Sequence, residues 1–331
     1  MDALSDVLKS VRLEGAVYLN AEFTAPWCVQ AKFGLASVKA RLAGAEHVVF
    51  FHFLTEGSCK VRLADSGEAL DVEAGDLVLF LEQDKHLMGS DLQLAPVEAA
   101  SLIGADVATD AEFIQMRHGG GGAATRFVCG YLACSRSVCR PLLEALPRML
   151  RIPIGDGPAA ALLRDLLRMG VRESSASRPG TESMLAKLSE LMFVEAMRRY
   201  AENLPPKGKG WLAGVRDAHV GRALALLHGD PGRAWTVDEL AREVALSRSA
   251  LAERFAALVG EPPMQYLMRW RLALAAQTLR SGGDAVARVA ERSGYESESA
   301  FIRAFKREFG MPPAAWRRQG MRNPGGARSS P

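Results

Sequence analysis

An α+β architecture is predicted, with a strand-rich barrel or sandwich in the first half, helices behind it, and an all-α domain with two helix-turn-helix units at the end. Three observations predict it. Short apolar runs alternate with turn-forming stretches over residues 11–135, apolar residues recur three and four apart from about Pro141, and a helix, turn, helix pattern is written twice after Arg233. The 331 residues suffice for about two domains. With 48% apolar and 24% charged residues, the composition is that of a globular chain, neither disordered nor membrane-embedded. No apolar run approaches the roughly 18 to 20 residues that span a bilayer, and the opening "MDALSDVLKSVRLEG" lacks a signal-peptide core. A cytoplasmic location and no membrane partner are therefore expected.

The strands are read from "HVVFFHFL", "CKVRLA", "DLVLFL" and "RFVCGYLA", separated by "LAGAE", "ADSGE", "EAGD" and "RHGGGGAAT". Helical spacing follows in "PLLEALPRML", "GPAAALLRDLLRMG" and "TESMLAKLSELMFVEAMRRYAENL". The last of these places Met184, Leu185, Leu188, Leu191 and Met192 on one stripe, which packs either in its own core or against a second copy of the chain. "NLPPKGKGW" then interrupts the helical pattern with two prolines and two glycines and reads as a linker at residues 205–211.

The repeat has an offset of fifty residues. "SRSALAERFAALVGEPPMQYL", from Ser247, overlays "SESAFIRAFKREFGMPPAAWR", from Ser297, with Ser249 on Ser299, Phe255 on Phe305, Gly260 on Gly310 and Pro262–Pro263 on Pro312–Pro313. A short amphipathic helix precedes each copy. Thr236 and Glu239 form a capping box at the first of these, and Ser247 and Ser297 are placed to cap the second helix of each unit. Leu240, Ala241 and Val244 face Leu251, Phe255 and Leu258; in the second unit Val286, Val289 and Ala290 face Phe301, Phe305 and Phe309. Residues 233–331 carry 16 Lys/Arg against 10 Asp/Glu, or +6, while residues 1–232 carry −3. That asymmetry fits a polyanion partner for the last third, or simply a solvated basic face.

On these motifs, residues 212–320 resemble the DNA-binding domain of the AraC/XylS family of transcriptional regulators, most specifically through "VARVAERSGYESESAFIRAFKREFGMPPAAWRR". The resemblance implies seven helices, two of which enter successive major grooves of double-stranded DNA. Base-reading positions would fall on Ser249, Ala252 and Glu253 in the first unit and on Glu298, Ser299 and Arg303 in the second. Arg303 is the strongest candidate because a guanidinium bonds guanine bidentately. Arg248, Arg254, Lys306 and Arg307 are candidates for phosphate contacts. "PPMQYLMRWRLALAAQTLRSGG" would be the rigid spacer between the reading helices, and residues 321–331 a flexible tail.

"GAEHVVFFHFLTE" and "GDLVLFLEQDKH" resemble the two motifs of a cupin barrel, and in particular the cupin-like sensor domains of some AraC-type regulators. Residues 1–204 are accordingly expected to sense and to form a homodimer. The resemblance implies a divalent metal held by His52, Glu56 and His86, with Phe50 standing where the family has its first histidine. His52 and Glu56 lie an even number apart, so an uninterrupted strand points both to one face, and His47 by parity to the opposite, solvent side.

Five cysteines without a CxxC pair read as free thiols, of which Cys28 and Cys129 are candidates for an oxidant response. The expected whole is a transcriptional activator or repressor that answers a small molecule, metal or oxidant and contacts RNA polymerase. No enzymatic activity is expected, since no nucleophile or acid/base pair is evident. The alternative is a cupin metalloenzyme with a helical appendage.

Overall fold

The computed structural model describes residues 3–10, 14–32, 46–102, 114–154, 179–205 and 208–321, with isolated positions between 157 and 169. Most of the helical run expected at 157–170, the centre of the linker and all but the first residue of the tail lie outside the described residues.

The first half is a two-sheet sandwich. β1 (Glu14–Thr24), β3 (His47–Glu56), β6 (Asp76–Phe80), β9 (Ile114–Gly119), β10 (Ala124–Cys134) and β11 (Met149–Pro153) form one sheet in the order β11-β6-β3-β10-β1-β9. β2 (Cys28–Ala31), β4 (Ser58–Leu63), β5 (Leu70–Glu73), β7 (His86–Gly89) and β8 (Val97–Glu98) form the other, in the order β5-β4-β7-β2-β8. Among the described residues, α1 (Ala3–Ser10), α2 (Ala99–Leu102) and α3 (Arg136–Leu143) lie within or beside this half. A fourth, α4 (Thr181–Glu202), packs along β1, where Gly15 permits the close crossing: a Cβ there would lie 2.8 Å from the Ala186 carbonyl and 2.9 Å from Ser189 Cβ.

The sequence of β3 explains why this sheet is central. Val48, Phe50, His52 and Leu54 point into the sandwich, while Val49, Phe51 and Phe53 point the other way and are equally buried, beneath α1, α3 and α4. A strand covered on both faces reads as one continuous apolar run, as "HVVFFHFL" does. His47, expected at the surface by parity, is buried for this reason, and burial lowers its pKa.

The second half is wholly helical: α5 (Trp211–Arg216), α6 (Ala218–Gly229), α7 (Val237–Glu243), α8 (Arg248–Val259), α9 (Pro263–Ser281), α10 (Val286–Arg292), α11 (Glu298–Phe309) and α12 (Pro313–Met321). Among the described residues eight helices stand where the resemblance implied seven. Asp217 makes the difference: its carboxylate accepts the backbone N–H groups of His219 (3.1 Å) and Val220 (3.0 Å), starting α6 afresh after the short α5.

One apolar core crosses between the halves. The outer face of the six-stranded sheet, α1, α3 and α4 share a continuous cluster with α5 to α8 and the first half of α9. The last half of α9 packs instead with α10, α11 and α12 in a separate cluster built on Phe301, Phe305 and Leu279. A packing boundary therefore falls across α9.

Within the shared core, His228 of α6 stacks 4.3 Å from Trp270 and lies 2.7 Å from the Tyr266 hydroxyl, which also receives the Trp211 indole N–H at 2.8 Å. Burial pushes the His228 pKa down to about 3. An unfolded histidine titrates near 6.5, so its contribution is intact above that value and is lost as pH falls below it, at about 1.4 kcal/mol per unit until the folded value is reached. Urea unfolding followed by tryptophan fluorescence is expected to show a wild-type loss between pH 7.5 and pH 5 that exceeds that of His228→Phe by about 2 kcal/mol. Equal losses would contradict a neutral buried imidazole.

Candidate functional site

The two helix-turn-helix units are built by the same local devices. Thr236 receives the Glu239 N–H at 3.2 Å while the Glu239 carboxylate accepts the Thr236 N–H at 3.0 Å, which fixes the start of α7. Ser247 and Ser297 each accept an N–H three residues on, from Ala250 and Ala300, both at 3.2 Å, and so start α8 and α11. Each of these helices ends at a left-handed glycine, Gly260 (φ +91°) and Gly310 (φ +74°), as a C-terminal cap requires. The interhelical turns differ: Gly294 (φ +73°) bends the second, whereas Ala245 (φ +56°) occupies the left-handed position in the first. Leu251 and Phe255 in α8, and Phe301 and Phe305 in α11, are fully buried and hold each of these helices on its partner.

Ser249, Glu253, Glu298, Ser299 and Arg303 are exposed on α8 and α11, and Ala252 is half-buried. α9 joins the units with 19 residues, or about 28 Å of helix. The candidate phosphate-contacting cations divide between the units. Arg254 is held by Asp217, with both Nε (2.9 Å) and Nη2 (2.6 Å) on Oδ2, and Arg248 lies 3.5 Å from Asp238. The Arg248–Asp238 pair is solvent-exposed and worth little. In α11, Arg303 and Lys306 make no ion pair among the described residues, and Arg307 donates to the Met268 sulfur at 3.8 Å. The second unit thus presents cations without ion pairs among the described residues, while the two cations of the first are already paired.

In the sandwich, the structure brings together two of the three expected metal ligands. His52 Nε2 lies 3.2 Å from His86 Nε2, with both residues buried. Glu56 is elsewhere: it is exposed and paired with Arg126. The cause is a bulge. β10 pairs Phe127 with Leu54 but Arg126 with Glu56, so Thr55 is the extra residue and the parity that linked His52 to Glu56 is broken. Cys129, the register partner of His52, approaches its other nitrogen, with Sγ 2.7 Å from Nδ1. Thiol and His86 therefore address opposite sides of one ring. Among the described residues no three His, Cys, Asp or Glu side chains converge on a common point. The donors present do not fit the divalent cation expected from the resemblance, which calls for a third nitrogen or oxygen ligand.

Desolvation lowers both imidazoles, His86 to about 4 and His52 well below its ordinary value, so both are neutral. The two cysteines expected to answer an oxidant are likewise buried. Cys28 packs with Leu87 and Leu92, apart from Cys129 in the sandwich interior, and burial raises both thiols. They present protonated thiols, contrary to the accessible thiolate that an oxidant response requires. Nothing short of the β3–β10 register would have placed Cys129 on His52, and sequence reading missed that contact.

A larger cleft of about 660 Å³ separates α3 from α9, α11 and α12, with Pro141, Trp270 and Phe309 among its walls. Two ion pairs bridge the halves here: Arg140 of α3 with Glu308 of α11 at 2.9 Å, and Arg280 of α9 with Glu46 at 2.5 Å. The Arg280 guanidinium also lies 4.3 Å over the Trp316 ring.

Comparison with known proteins places these features. Residues 2–202 match the cupin family and residues 240–319 a helix-turn-helix domain. An AraC-like transcription regulator of Streptomyces lividans is 34% identical over 319 residues, covering 96% of this chain and 98% of that protein. The RCS-specific HTH-type transcriptional activator RclR of Escherichia coli K12 is 28% identical, covering 96% and 97%. Among solved structures, the DNA-binding domain of AdpA in complex with a target DNA is 31% identical, with a TM-score of 0.32, covering 33% of this chain and 99% of that one. No helix among the described residues is long and apolar enough to cross a membrane. A cupin region followed by paired, capped helix-turn-helix units, with full-length similarity to named regulators, shows that this chain belongs to the AraC-like family of DNA-binding transcription regulators.

Proposed function

We propose that α8 and α11 read two successive major grooves of one DNA duplex, and that the sandwich acts as the sensing half, setting how the second unit is held. The observation that carries this reading is the pair of identically capped helices at the two ends of α9. The roughly 28 Å of that helix is compatible with reading heads one helical turn of DNA, about 34 Å, apart. The continuous core supports treating the first unit as fixed to the sandwich, and the bridged cleft supports treating the second as the adjustable one. An effector that changes the cleft or the sandwich would then shift the population of arrangements able to engage both grooves. Pairing with a second copy and contact with RNA polymerase complete the proposal.

The test is a salt-titrated binding assay of the full chain on DNA from its own upstream region, with scrambled duplex as competitor. Selective binding is expected, with log affinity falling by about 0.9 per phosphate neutralised for each unit of log salt. Binding that is insensitive to salt, or equal on scrambled duplex, would count against the reading.

A further inference from the structure

The cleft of about 660 Å³ that separates α3 from α9, α11 and α12 falls within the roughly 300–1,000 Å³ of small-molecule sites. Its charges do not balance. Arg136 pairs with Glu82 at 3.3 Å, Arg280 with Glu46 at 2.5 Å, and Arg269 with Glu261. Arg140 instead serves two carboxylates, with Nε 2.7 Å from Glu144 and Nη1 2.9 Å from Glu308. Among the described residues, four guanidiniums thus answer five carboxylates, and one negative charge is left over. Glu261 is buried, and its Oε2 has no hydrogen-bond partner among those residues. Burial raises its pKa, and the Glu144 and Glu308 charges add to that rise against the pull of Arg269 and Arg140. The surplus is therefore concentrated where Glu144, Glu261 and Glu308 crowd around Arg140.

The uncharged lining decides what kind of cation suits it. Pro141 and Leu143 of α3 line the cleft from one half, and Phe309 and Trp316 line it from the other; all four are half-buried and leave apolar surface for a guest. The Phe309 and Trp316 rings lie 4.8 Å apart, and the Trp316 N–H donates to the Ala276 carbonyl at 3.1 Å, which fixes the indole. The Arg280 guanidinium over that indole shows the wall engaged in cation–π contact. A hydrated metal ion gains nothing from such walls, and no three His, Cys, Asp or Glu side chains among the described residues are placed to hold one. A bulky cation of diffuse charge sacrifices little hydration on entry and gains both apolar contact and Coulomb attraction. An anion of the same shape meets the surplus carboxylate.

We propose that this cleft binds a bulky, apolar organic monocation, with its charge beside Glu144, Glu261 and Glu308 and its apolar surface against Leu143, Phe309 and Trp316. Such a guest is an effector of the regulation proposed above, and in that consequence alone the site rests on that reading. Occupancy is tested without DNA, so the two fail separately.

The full chain is titrated by isothermal calorimetry with tetraphenylphosphonium and, separately, with tetraphenylborate, an anion of nearly the same size and shape. One phosphonium per chain is expected, with the borate bound about tenfold more weakly or worse. Glu144→Gln and Glu261→Gln, each of which removes a charge and keeps the shape, are expected to weaken the phosphonium about fivefold and to narrow its lead over the borate. Trp316→Leu is expected to cost about threefold in phosphonium affinity through lost ring contact, with unchanged circular dichroism. Glu144 is exposed, so its variant keeps the test decisive should the buried Glu261 variant fail to fold. Absence of phosphonium uptake, equal or tighter uptake of the borate, or phosphonium affinity indifferent to Glu144→Gln and Trp316→Leu would each overturn the assignment.

Discussion

Phe301→Ala is expected to destabilise the second helix-turn-helix unit by about 3–5 kcal/mol while leaving the rest of the chain folded. Phe301 is fully buried, 5.4 Å from Tyr295 and 5.5 Å from Phe305 by ring centroids, in a cluster confined to α9 to α12. Truncation leaves a cavity that so small a core cannot refill from neighbouring layers. Hydrogen exchange is expected to accelerate across α10 to α12 and to stay slow in α6 to α8. Phe255→Ala, by contrast, strikes the cluster shared with the sandwich, and its effect is expected to spread across both halves. Identical exchange patterns in the two variants would show that the boundary across α9 has no energetic meaning.

Arg303→Ala carries the largest expected effect on recognition. Arg303 is exposed in the second turn of α11 and has no ion pair among the described residues, so its full hydrogen-bonding fork is available to a guanine edge. The substitution is expected to weaken binding by about 1–3 kcal/mol and to relax preference at one base pair. Lys306→Ala provides the contrast: if that ammonium meets a phosphate, affinity falls on every sequence and the salt slope shrinks by about one. A uniform loss for Arg303→Ala would reassign it to the backbone. Arg254→Ala is expected to act partly through stability, because Arg254 ties α8 to the Asp217 cap.

Local devices were the most legible part of the sequence. The capping box at Thr236, the Ser247 and Ser297 caps and the paired glycines depend on neighbours a few residues away, so a pattern of residues suffices to read them. The facing stripes of each unit were legible for the same reason. Pairing register was not. His52 and Glu56 shared a face only until Thr55 was inserted opposite β10, and His47 counted as outward only until α1, α3 and α4 covered that side. Of the stripe on α4, Leu185, Leu188 and Met192 enter the core, while Leu191 remains 50% exposed. The ion pairs across the cleft join residues 168 and 234 positions apart, a range at which charge pattern has no resolving power.

Methylation interference and hydroxyl-radical footprinting of the full chain on its own operator test the central claim most directly. Two guanine-containing patches about 34 Å apart on one face of the duplex are expected, with Arg303→Ala erasing contact in one patch alone. A single short patch, or protection that is unchanged by substitutions in α11, would contradict a protein that reads two grooves with two helices.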